Sequence, residues 1–517
     1  MKRTLFGLAI LLVSCNSSQP TVSENSTETK ALDPVPYANT ITEQDLKTHL
    51  YTYASDEFEG RETGTPGQKK AIAYLKAAYE ELGIPAAKKD GDYFQKVPLA
   101  VSKVPEGSIT IEGKTYNISA DFVTMAKAIY NSDEIVYAGY GIQTENYSDY
   151  NGLDVTGKLV LVKSGEPKNS EGNYIISGNQ ETSTWSNMSE SIGLRSKAAF
   201  DNGAVGLLYY DPVNYPRFKQ YYTYMKTNNS GKMELKAAVK EYFLVLLNDD
   251  MVKAILPNIG TIDQTQTIKK SITLDIKSTD DTIDSENVVA ILKGRTKPNE
   301  YVVLSSHLDH IGVSADGQIN NGADDDGSGS VALLELAQAF KKAKDEGHGP
   351  ERSIVFLHVT GEEKGLLGSK YYTDFDPIFP LNQTVVDLNI DMIGRIDPKR
   401  EGNRNYIYLI GSDKLSTELH ELSENINEKY MQIELDYTYN DENDPNRFYY
   451  RSDHYNFAKN NIPIIFYFNG THEDYHKPGD TPDKINYDLL RNRTQLVFYT
   501  AWEIANKPNR LVVDKAE

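Results

Sequence analysis

Residues 301–309 read YVVLSSHLD, an apolar stretch that ends in polar side chains. The apolar part predicts a buried β-strand over residues 301–306, with His307 and Asp309 following at its end. Further apolar strands are predicted at 288–292, 353–359, 385–390, 406–410 and 462–468. A helical pattern at 331–342 lies between two of these strands, and strands that alternate with helices indicate a sheet covered on both faces. Functional side chains of such sheets collect at the carboxyl ends of the strands.

The composition limits the classes of protein to which the chain can belong. Its 517 residues carry a net charge of −20, and hydrophobic residues make up 39%. A mean hydropathy of −0.52 excludes a protein with many membrane spans. Because phosphate binding needs a basic surface, the acidic balance makes nucleic acid a poor partner. We therefore expect a globular protein with a sizeable core and no nucleic-acid partner.

The N-terminus has the pattern of an export signal. Lys2 and Arg3 precede an apolar stretch at 5–13 that is too short to span a bilayer stably. Residues 12–15 read LVSC, resemble a bacterial lipobox and end in Cys15, the single cysteine of the chain. We expect an exported bacterial lipoprotein on the periplasmic or cell-surface side, held to the membrane only through a lipid on that cysteine. The alternative is an ordinary signal peptide with an incidental cysteine.

The polar residues after the central strand include a histidine and several carboxylates. Side chains two apart on an extended segment point the same way, so Asp309 can accept a hydrogen bond from the far nitrogen of His307 and fix it for metal binding. A surface pair is the alternative. Residues 321–329 read NGADDDGSG, and three consecutive carboxylates repel each other unless a cation compensates them. A calcium loop is an alternative there, but the Gly- and Asn-rich residues 312–322 cannot supply its entering helix.

Further polar clusters lie later in the chain. Glu362 and Glu363 follow the third strand, where one glutamate can bind metal while its neighbour acts as general base on a water. Asp391 ends a later strand, and Tyr475 and His476 lie near the C-terminus. Taken singly, such clusters are also typical of solvated turns. Four histidines are assigned no part in metal binding, namely His310, His358, His454 and His472.

Together, the order and spacing of these clusters resemble the co-catalytic zinc aminopeptidase family. The shared motifs are His-x-Asp, Gly-Ala-Asp-Asp-Asp-Gly-Ser-Gly, Gly-Glu-Glu-x-Gly-Leu-x-Gly-Ser, an Asp-Met strand end and a late Tyr-His pair. This family includes bacterial leucine aminopeptidases, glutamate carboxypeptidase and the animal glutaminyl cyclases. The resemblance covers about residues 40–505, and the stretch 157–210 looks like the protease-associated (PA) domain that some members carry as an insert.

The resemblance implies a role for each matching residue. It implies two zinc ions held by five ligands, with Asp325 bridging both, His307 and Asp391 on one, and Glu363 and His476 on the other. It also implies that Glu362 is the general base and that Asp309 orients the ligand His307. Tyr475 would donate a hydrogen bond to the oxyanion. The choice of Asp325 among its neighbours rests on its spacing to residues 328–329.

The fold class implied is α/β, with a mixed, mostly parallel twisted sheet, helices on both faces and a smaller inserted PA-like domain of strands and helices. We predict a signal peptide at 1–15 and a flexible tether at 16–38. The catalytic domain is predicted in two parts, 39–130 and 281–510, with the insert at 131–280 between them.

The predicted function is that of a zinc-dependent exopeptidase. It would hydrolyse N-terminal residues from peptides with a bridging water activated by two zinc ions and a glutamate general base. A carboxypeptidase or a glutaminyl cyclase of the same fold is the alternative, and a receptor-like relative without catalysis is a more distant one. A carboxypeptidase needs a basic pocket for the substrate carboxylate, which the sequence does not locate. The cyclase uses a single zinc, so the complete ligand set speaks against it.

Overall fold

The structure is a computed structural model that describes residues 32–188, 190–228, 231–236, 242–400 and 402–515. Cys15, the signal peptide and residues 16–31 of the predicted tether lie outside these described residues. Within the described ranges, no helix has the length and apolar character needed to cross a bilayer.

The described residues form helices and strands throughout. The helices are α1 Val35–Ala38, α2 Glu43–Tyr53, α3 Pro66–Glu81, α4 Ser191–Asp201, α5 Tyr215–Thr227, α6 Asp249–Ile255, α7 Gly329–Asp345, α8 Leu367–Asp374, α9 Thr417–Ile426, α10 His454–Ala458 and α11 Tyr487–Asn506. The strands up to residue 247 are β1 Phe94–Lys103, β2 Glu106–Ile111, β3 Lys114–Asn117, β4 Phe122–Val123, β5 Ala128–Ser132, β6 Ile135–Tyr137, β7 Leu159–Lys163, β8 Gly206–Tyr210, β9 Gly231–Leu235 and β10 Phe243–Leu247. The later strands are β11 Gln266–Ile268, β12 Ile272–Lys277, β13 Asp280–Leu292, β14 Lys297–His307, β15 Arg352–Val359, β16 Thr384–Ile390, β17 Tyr406–Ile410, β18 Glu434–Asp436 and β19 Ile464–Phe468.

The largest sheet has nine strands in the order β18-β17-β19-β16-β14-β15-β13-β1-β9. Its four central strands, β19, β16, β14 and β15, run parallel, and antiparallel pairings flank them on both sides. Each of the six strands predicted from 288 onward overlaps an observed strand of this sheet. The prediction of an α/β fold with a mixed sheet is confirmed.

Helices cover both faces of this sheet because its central strands are apolar on both sides. On one face Val302 and Leu304 of β14 share a buried core with Leu333 of α7 and Phe498 of α11. On the other face Val303 packs in a separate core with residues of α8 and α10. Central strands buried on both sides leave only their ends accessible, so chemistry is confined to those ends.

Two smaller sheets extend the predicted insert towards the N-terminus. The six-stranded sheet has the order β11-β6-β7-β8-β10-β4, and the four-stranded sheet the order β3-β2-β12-β5. Strand β2 pairs with β12 along its whole length, so residues 106–130, assigned to the catalytic domain, join the sheets of the insert. Conversely, β9 lies within the predicted insert but pairs with β1 of the nine-stranded sheet.

The predicted tether also ends earlier than residue 38. Residues 35–38 form α1, which begins after Pro34 with helical backbone angles. Tyr37 is buried and stacks on Trp502 of α11 at 5.6 Å between ring centroids. Apolar burial of this kind is incompatible with a flexible tether, so these residues belong to the folded body.

Candidate metal centre

The site lies where three neighbouring parallel strands end. In the pairing of β14 with β15, His307 lies opposite Val359, just before the loop that carries Glu362 and Glu363. In the pairing of β14 with β16, Ser305 lies opposite Asn389, two residues before Asp391. The register of the sheet therefore brings these side chains to one edge.

The first group of donor atoms consists of His307, Asp325 and Asp391. The Nε2 atom of His307 lies 3.2 Å from Oδ1 of Asp325 and 3.5 Å from Oδ1 of Asp391. All three residues are buried. Burial opposes protonation of His307, but the negative charges of nearby carboxylates, Asp391 among them, prevail and raise its pKa well above the ordinary value.

The second group consists of Asp325 and Glu363 with two histidines. Nε2 of His476 lies 3.1 Å from Oδ2 of Asp325 and 3.1 Å from Oε2 of Glu363. Nδ1 of His310 lies 2.9 Å from Oε1 of Glu363 and 3.7 Å from Oδ2 of Asp325. Although burial opposes protonation, these carboxylates raise the pKa of His476 to about 10. Asp325 therefore belongs to both groups, one carboxylate oxygen facing each.

His310 is a member of this group that the sequence prediction missed. It was assigned no part in metal binding, yet it is fully buried with its Nδ1 facing Glu363. The sequence carries a signal for it, because it directly follows the His-x-Asp motif at the end of an apolar strand. The other histidines without an assigned metal role lie elsewhere: Nε2 of His358 meets the hydroxyl of Tyr79, and Nε2 of His454 meets the carbonyl of Tyr449.

The donor atoms fit a pair of divalent cations. Five buried atoms of these residues have no hydrogen-bond partner, namely Nε2 of His307, Nδ1 and Nε2 of His310, Oδ2 of Asp325 and Oε1 of Glu363. A buried polar atom without a partner is costly, so such a cluster needs a compensating cation. Nitrogen and oxygen ligands bind zinc at about 2.0–2.2 Å in tetrahedral geometry, which places them roughly 3.3 Å apart. The separations within both groups are close to this value.

Only the middle one of the three consecutive aspartates faces the histidines of both groups. The carboxylate of Asp326 accepts hydrogen bonds from the backbone N–H groups of His307, Gly329 and Met392. The carboxylate of Asp324 accepts from the backbone N–H of Gly394 at 2.6 Å. These two side chains hold the backbone in place, and the carboxylate of Asp325 faces the histidines of both groups.

Asp480 and His472 support this turn, and the sequence prediction gave neither a role. The Asp480 carboxylate accepts hydrogen bonds from the backbone N–H groups of Asp324 and Asp325 at 3.0–3.1 Å. Nε2 of His472 lies 3.3 Å from Oδ2 of Asp324. The C-terminal segment thus fixes the backbone from which Asp325 projects.

The contact between His307 and Asp309 differs from the prediction. Nδ1 of His307 meets the backbone carbonyl of Asp309 at 3.0 Å, not its carboxylate. The carboxylate instead accepts from the hydroxyl of Thr63 at 2.7 Å and from the backbone N–H of Glu362 at 3.2 Å. Strand β14 ends at His307, so the alternation assumed in the prediction does not continue to Asp309.

Glu362 belongs to neither donor group, but it lines the adjoining pocket together with Asp325 and Asp391. Burial, with the negative charges of Glu363 and Asp391, raises its pKa well above the ordinary value, although His307 opposes the shift. A carboxylate whose pKa is raised above the ordinary value is a stronger proton acceptor, which suits it to proton transfer.

Tyr475 lines the same pocket, and its ring stacks on His476 with 3.9 Å between centroids. Burial and the neighbouring carboxylates, first among them Asp325, raise the pKa of its phenol. The phenol therefore keeps its proton and can donate a hydrogen bond into the pocket.

Comparison with known proteins finds a family to which the segment with this site is similar. Residues 287–501 match the family described as "Peptidase family M28". This segment contains the donor residues described above. These residues are similar to this peptidase family, as the sequence predicts.

Individual relatives are each similar to a little under half of this chain. An aminopeptidase of Bacillus subtilis (strain 168), YwaD, is 28% identical over 252 residues, which are 47% of this chain and 50% of that protein. A probable leucine aminopeptidase 2 of Aspergillus oryzae is 27% identical over 266 residues, 46% of this chain and 48% of that protein. This chain thus spans about half the length of these relatives.

Among solved structures, an aminopeptidase from Aneurinibacillus sp. strain AM-1 is similar with 19% identity and a TM-score of 0.47. The similarity covers 93% of this chain and 98% of that one.

Proposed function

We propose that this chain is a zinc-dependent exopeptidase that removes N-terminal residues from peptides. The observation that carries the proposal is the position of Asp325, whose carboxylate lies 3.2 Å from His307 and 3.1 Å from His476. One carboxylate placed between two groups of donors suits a pair of cations, and such pairs occur in aminopeptidases. The similarity to two aminopeptidases supports this choice.

The residues divide the work of binding between the two groups. His307 and Asp391 would hold one zinc ion, Glu363 and His476 the other, and Asp325 both. When bound, the ions polarise the scissile carbonyl and make a water acidic enough to act as nucleophile at neutral pH. These five residues are more ligands than a single zinc ion needs, which argues against a glutaminyl cyclase.

Glu362 is the general base of the proposed reaction. It lines the pocket but is not needed in either donor group, so its carboxylate is free to accept the proton of the attacking water and return it to the leaving amine. Its backbone N–H is held by Asp309, which fixes the loop relative to the end of β14. Tyr475 would donate its phenol proton as a hydrogen bond to the tetrahedral oxyanion.

The charge of the pocket favours a free amino terminus as the group that enters it. Glu362 and Asp391 both line the pocket, and the negative charge there favours an ammonium group of the substrate close to the donor groups. Removal of N-terminal residues follows from this placement, because the bond next to the bound ammonium group then lies at the donor groups.

The test uses the purified full chain stripped of metal with a chelator. We expect no hydrolysis of amino-acid amides or nitroanilides in the stripped protein, and recovery that is complete at two equivalents of zinc. Peptides with a blocked N-terminus should not be cleaved. Recovery that is complete at one equivalent, or no hydrolysis of any substrate with a free amino terminus, would contradict the proposal.

A carboxypeptidase is the second candidate, and one observation favours it. It needs a basic group for the terminal carboxylate of the substrate, and Arg451 lines the same pocket as Glu362. Cleavage of a peptide with a blocked N-terminus and a free C-terminus would select this candidate.

We also propose that the chain is an exported lipoprotein anchored through Cys15. The basis is the basic start, the short apolar stretch and the LVSC sequence at 12–15. Membrane fractions of cells should contain the wild-type chain, and Cys15→Ser should release it. Membrane attachment that persists in this variant would contradict a lipid anchor.

A further inference from the structure

The pocket next to the donor groups combines an aromatic wall with one basic residue. Met392, Phe448, Phe466 and Phe468 supply apolar surface, and carboxylates of the site also line the pocket. Among the described residues that line it, Arg451 is the one with a positive charge.

The guanidinium group of Arg451 has no anionic partner in the described part of the chain. Its side chain makes no hydrogen bond or ion pair there, and its guanidinium carbon lies 4.9 Å from the ring centre of Phe448. A cation over an aromatic face is held in position while its N–H groups stay available. Arg395, by contrast, is occupied by Glu473 and Asp474 at 3.3 and 3.0 Å.

An unpaired guanidinium is unusual at a site so rich in carboxylates. Asp391 and Glu362 line the same pocket, yet neither forms an ion pair with Arg451. The pocket thus combines carboxylates with one positive charge that is not paired with them. A ligand complementary to both carries an ammonium group and a carboxylate.

We propose that Arg451 determines specificity by binding a carboxylate of the substrate residue held in this pocket. The inference rests on the proposed function and names its substrate class. The carboxylate has two possible sources, the side chain of an N-terminal glutamate or aspartate and the free C-terminus of a peptide. A guanidinium binds either through paired N–H groups.

The test compares substrates that differ only in this carboxylate. For the zinc-loaded full chain, we expect kcat/KM for a glutamyl nitroanilide to exceed that for the glutaminyl nitroanilide by about tenfold, the value of one hydrogen bond to a charged group. A second arm compares blocked dipeptides with a free or an amidated C-terminus. Preference in the first arm identifies the side chain as the source, and preference in the second identifies the terminus.

Arg451→Gln keeps a polar side chain of similar reach but removes the charge. It should bring the favoured ratio close to one, and Arg451→Lys should restore part of it. Arg447→Gln is the matched control, because Arg447 is exposed, lies over Tyr450 and does not line the pocket. It should leave the ratio as in the wild type. Equal rates in both arms for the wild type, or a ratio unchanged in Arg451→Gln, would overturn the inference.

A binding measurement separates this inference from the proposed function. Calorimetry with free L-glutamate and L-glutamine needs no turnover. Glutamate should bind about tenfold more tightly, and Arg451→Gln should abolish the difference. If the two amino acids bind equally, the side chain is excluded as the source of the carboxylate, and the inference then fails unless the blocked dipeptides show a preference for a free C-terminus. If glutamate is preferred but no peptide is cleaved, the proposed function fails and the carboxylate site stands.

Discussion

His307 places its Nδ1 atom 3.0 Å from the backbone carbonyl of Asp309. A carbonyl oxygen can only accept, so Nδ1 carries a proton and Nε2, which faces Asp325 and Asp391, is the nitrogen that can bind a metal. The tautomer that a metal ligand needs is therefore set by the backbone. The Asp309 carboxylate has a different task, since it ties Thr63 to the loop of Glu362.

Asp309→Asn tests this division of tasks. The variant keeps the backbone carbonyl, so zinc affinity should change by less than about threefold, while kcat falls by about tenfold because the backbone of Glu362 loses an anionic acceptor. A role of the carboxylate in fixing the tautomer would instead lower metal affinity by about 10–100-fold. Competition titration with a chelator decides between the two, and the exposed Asp316→Asn serves as control.

Glu362→Gln and Glu363→Gln should behave differently although the residues are adjacent. Glu362→Gln removes the proton acceptor and should lower kcat by about 10²–10⁴-fold, with zinc content and KM little changed. Glu363→Gln should weaken one zinc site. Metal analysis with steady-state kinetics on both variants checks this. Loss of metal in the first variant with retention in the second would reverse the two roles.

His310→Ala should weaken the second donor group and spare the first. The variant removes the nitrogen that lies 2.9 Å from the Glu363 carboxylate. We expect the affinity for one of two zinc ions to fall by about tenfold. His420→Ala is the control, because His420 meets Ser412 far from the donor groups. Two zinc affinities that both stay within twofold of the wild type would show that His310 has no part in the centre.

Glu335 predicts a pH dependence of stability that is independent of the metal. It is buried in α7, where neither oxygen has a hydrogen-bond partner and Nε2 of His49 lies 3.6 Å from one of them, and burial, with Asp45 nearby, raises its pKa from 4.5 to about 8. An acid with a raised folded pKa favours the folded state when protonated, so this stability is present below pH 4.5 and is lost as the pH rises to about 8.

Glu335→Gln should therefore stabilise the chain more at pH 8.5 than at pH 5. The difference in Tm between variant and wild type should grow by roughly 2 °C or more over this range. Thermal unfolding followed by circular dichroism measures it, and the exposed Glu428→Gln should show no such growth. A constant difference from pH 5 to 8.5 would mean that Glu335 is ionised in the folded chain at both values.

The sequence predicts the strands and the converging side chains because both depend on local patterns. Apolar runs such as 353–359 mark strands buried on both faces, and parallel strands must end at a common edge. The predictions for Asp309 and His310 were wrong because these residues lie where the chain leaves a regular strand. Asp309 and His310 come after the last residue of β14, and alternation no longer says where their side chains point.

Pairing between strands that lie far apart in the sequence is the second feature that the sequence does not predict. Strand β2 finds its partner β12 about 160 residues later, and nothing in residues 106–111 themselves specifies it. The early boundary of the insert was therefore misplaced. Likewise, α1 is too short to show a helical period, and its burial depends on Trp502 at the other end of the chain.

The central claim is that one carboxylate serves two metal ions, and Asp325→Asn tests it most directly. Asp325 has one oxygen 3.2 Å from His307 and the other 3.1 Å from His476. The measurement is the number of zinc ions that stay bound per chain after gel filtration, by elemental analysis. We predict two for the wild type and fewer than one for the variant, because both sites lose a ligand. A variant that retains two zinc ions as tightly as the wild type would contradict the account.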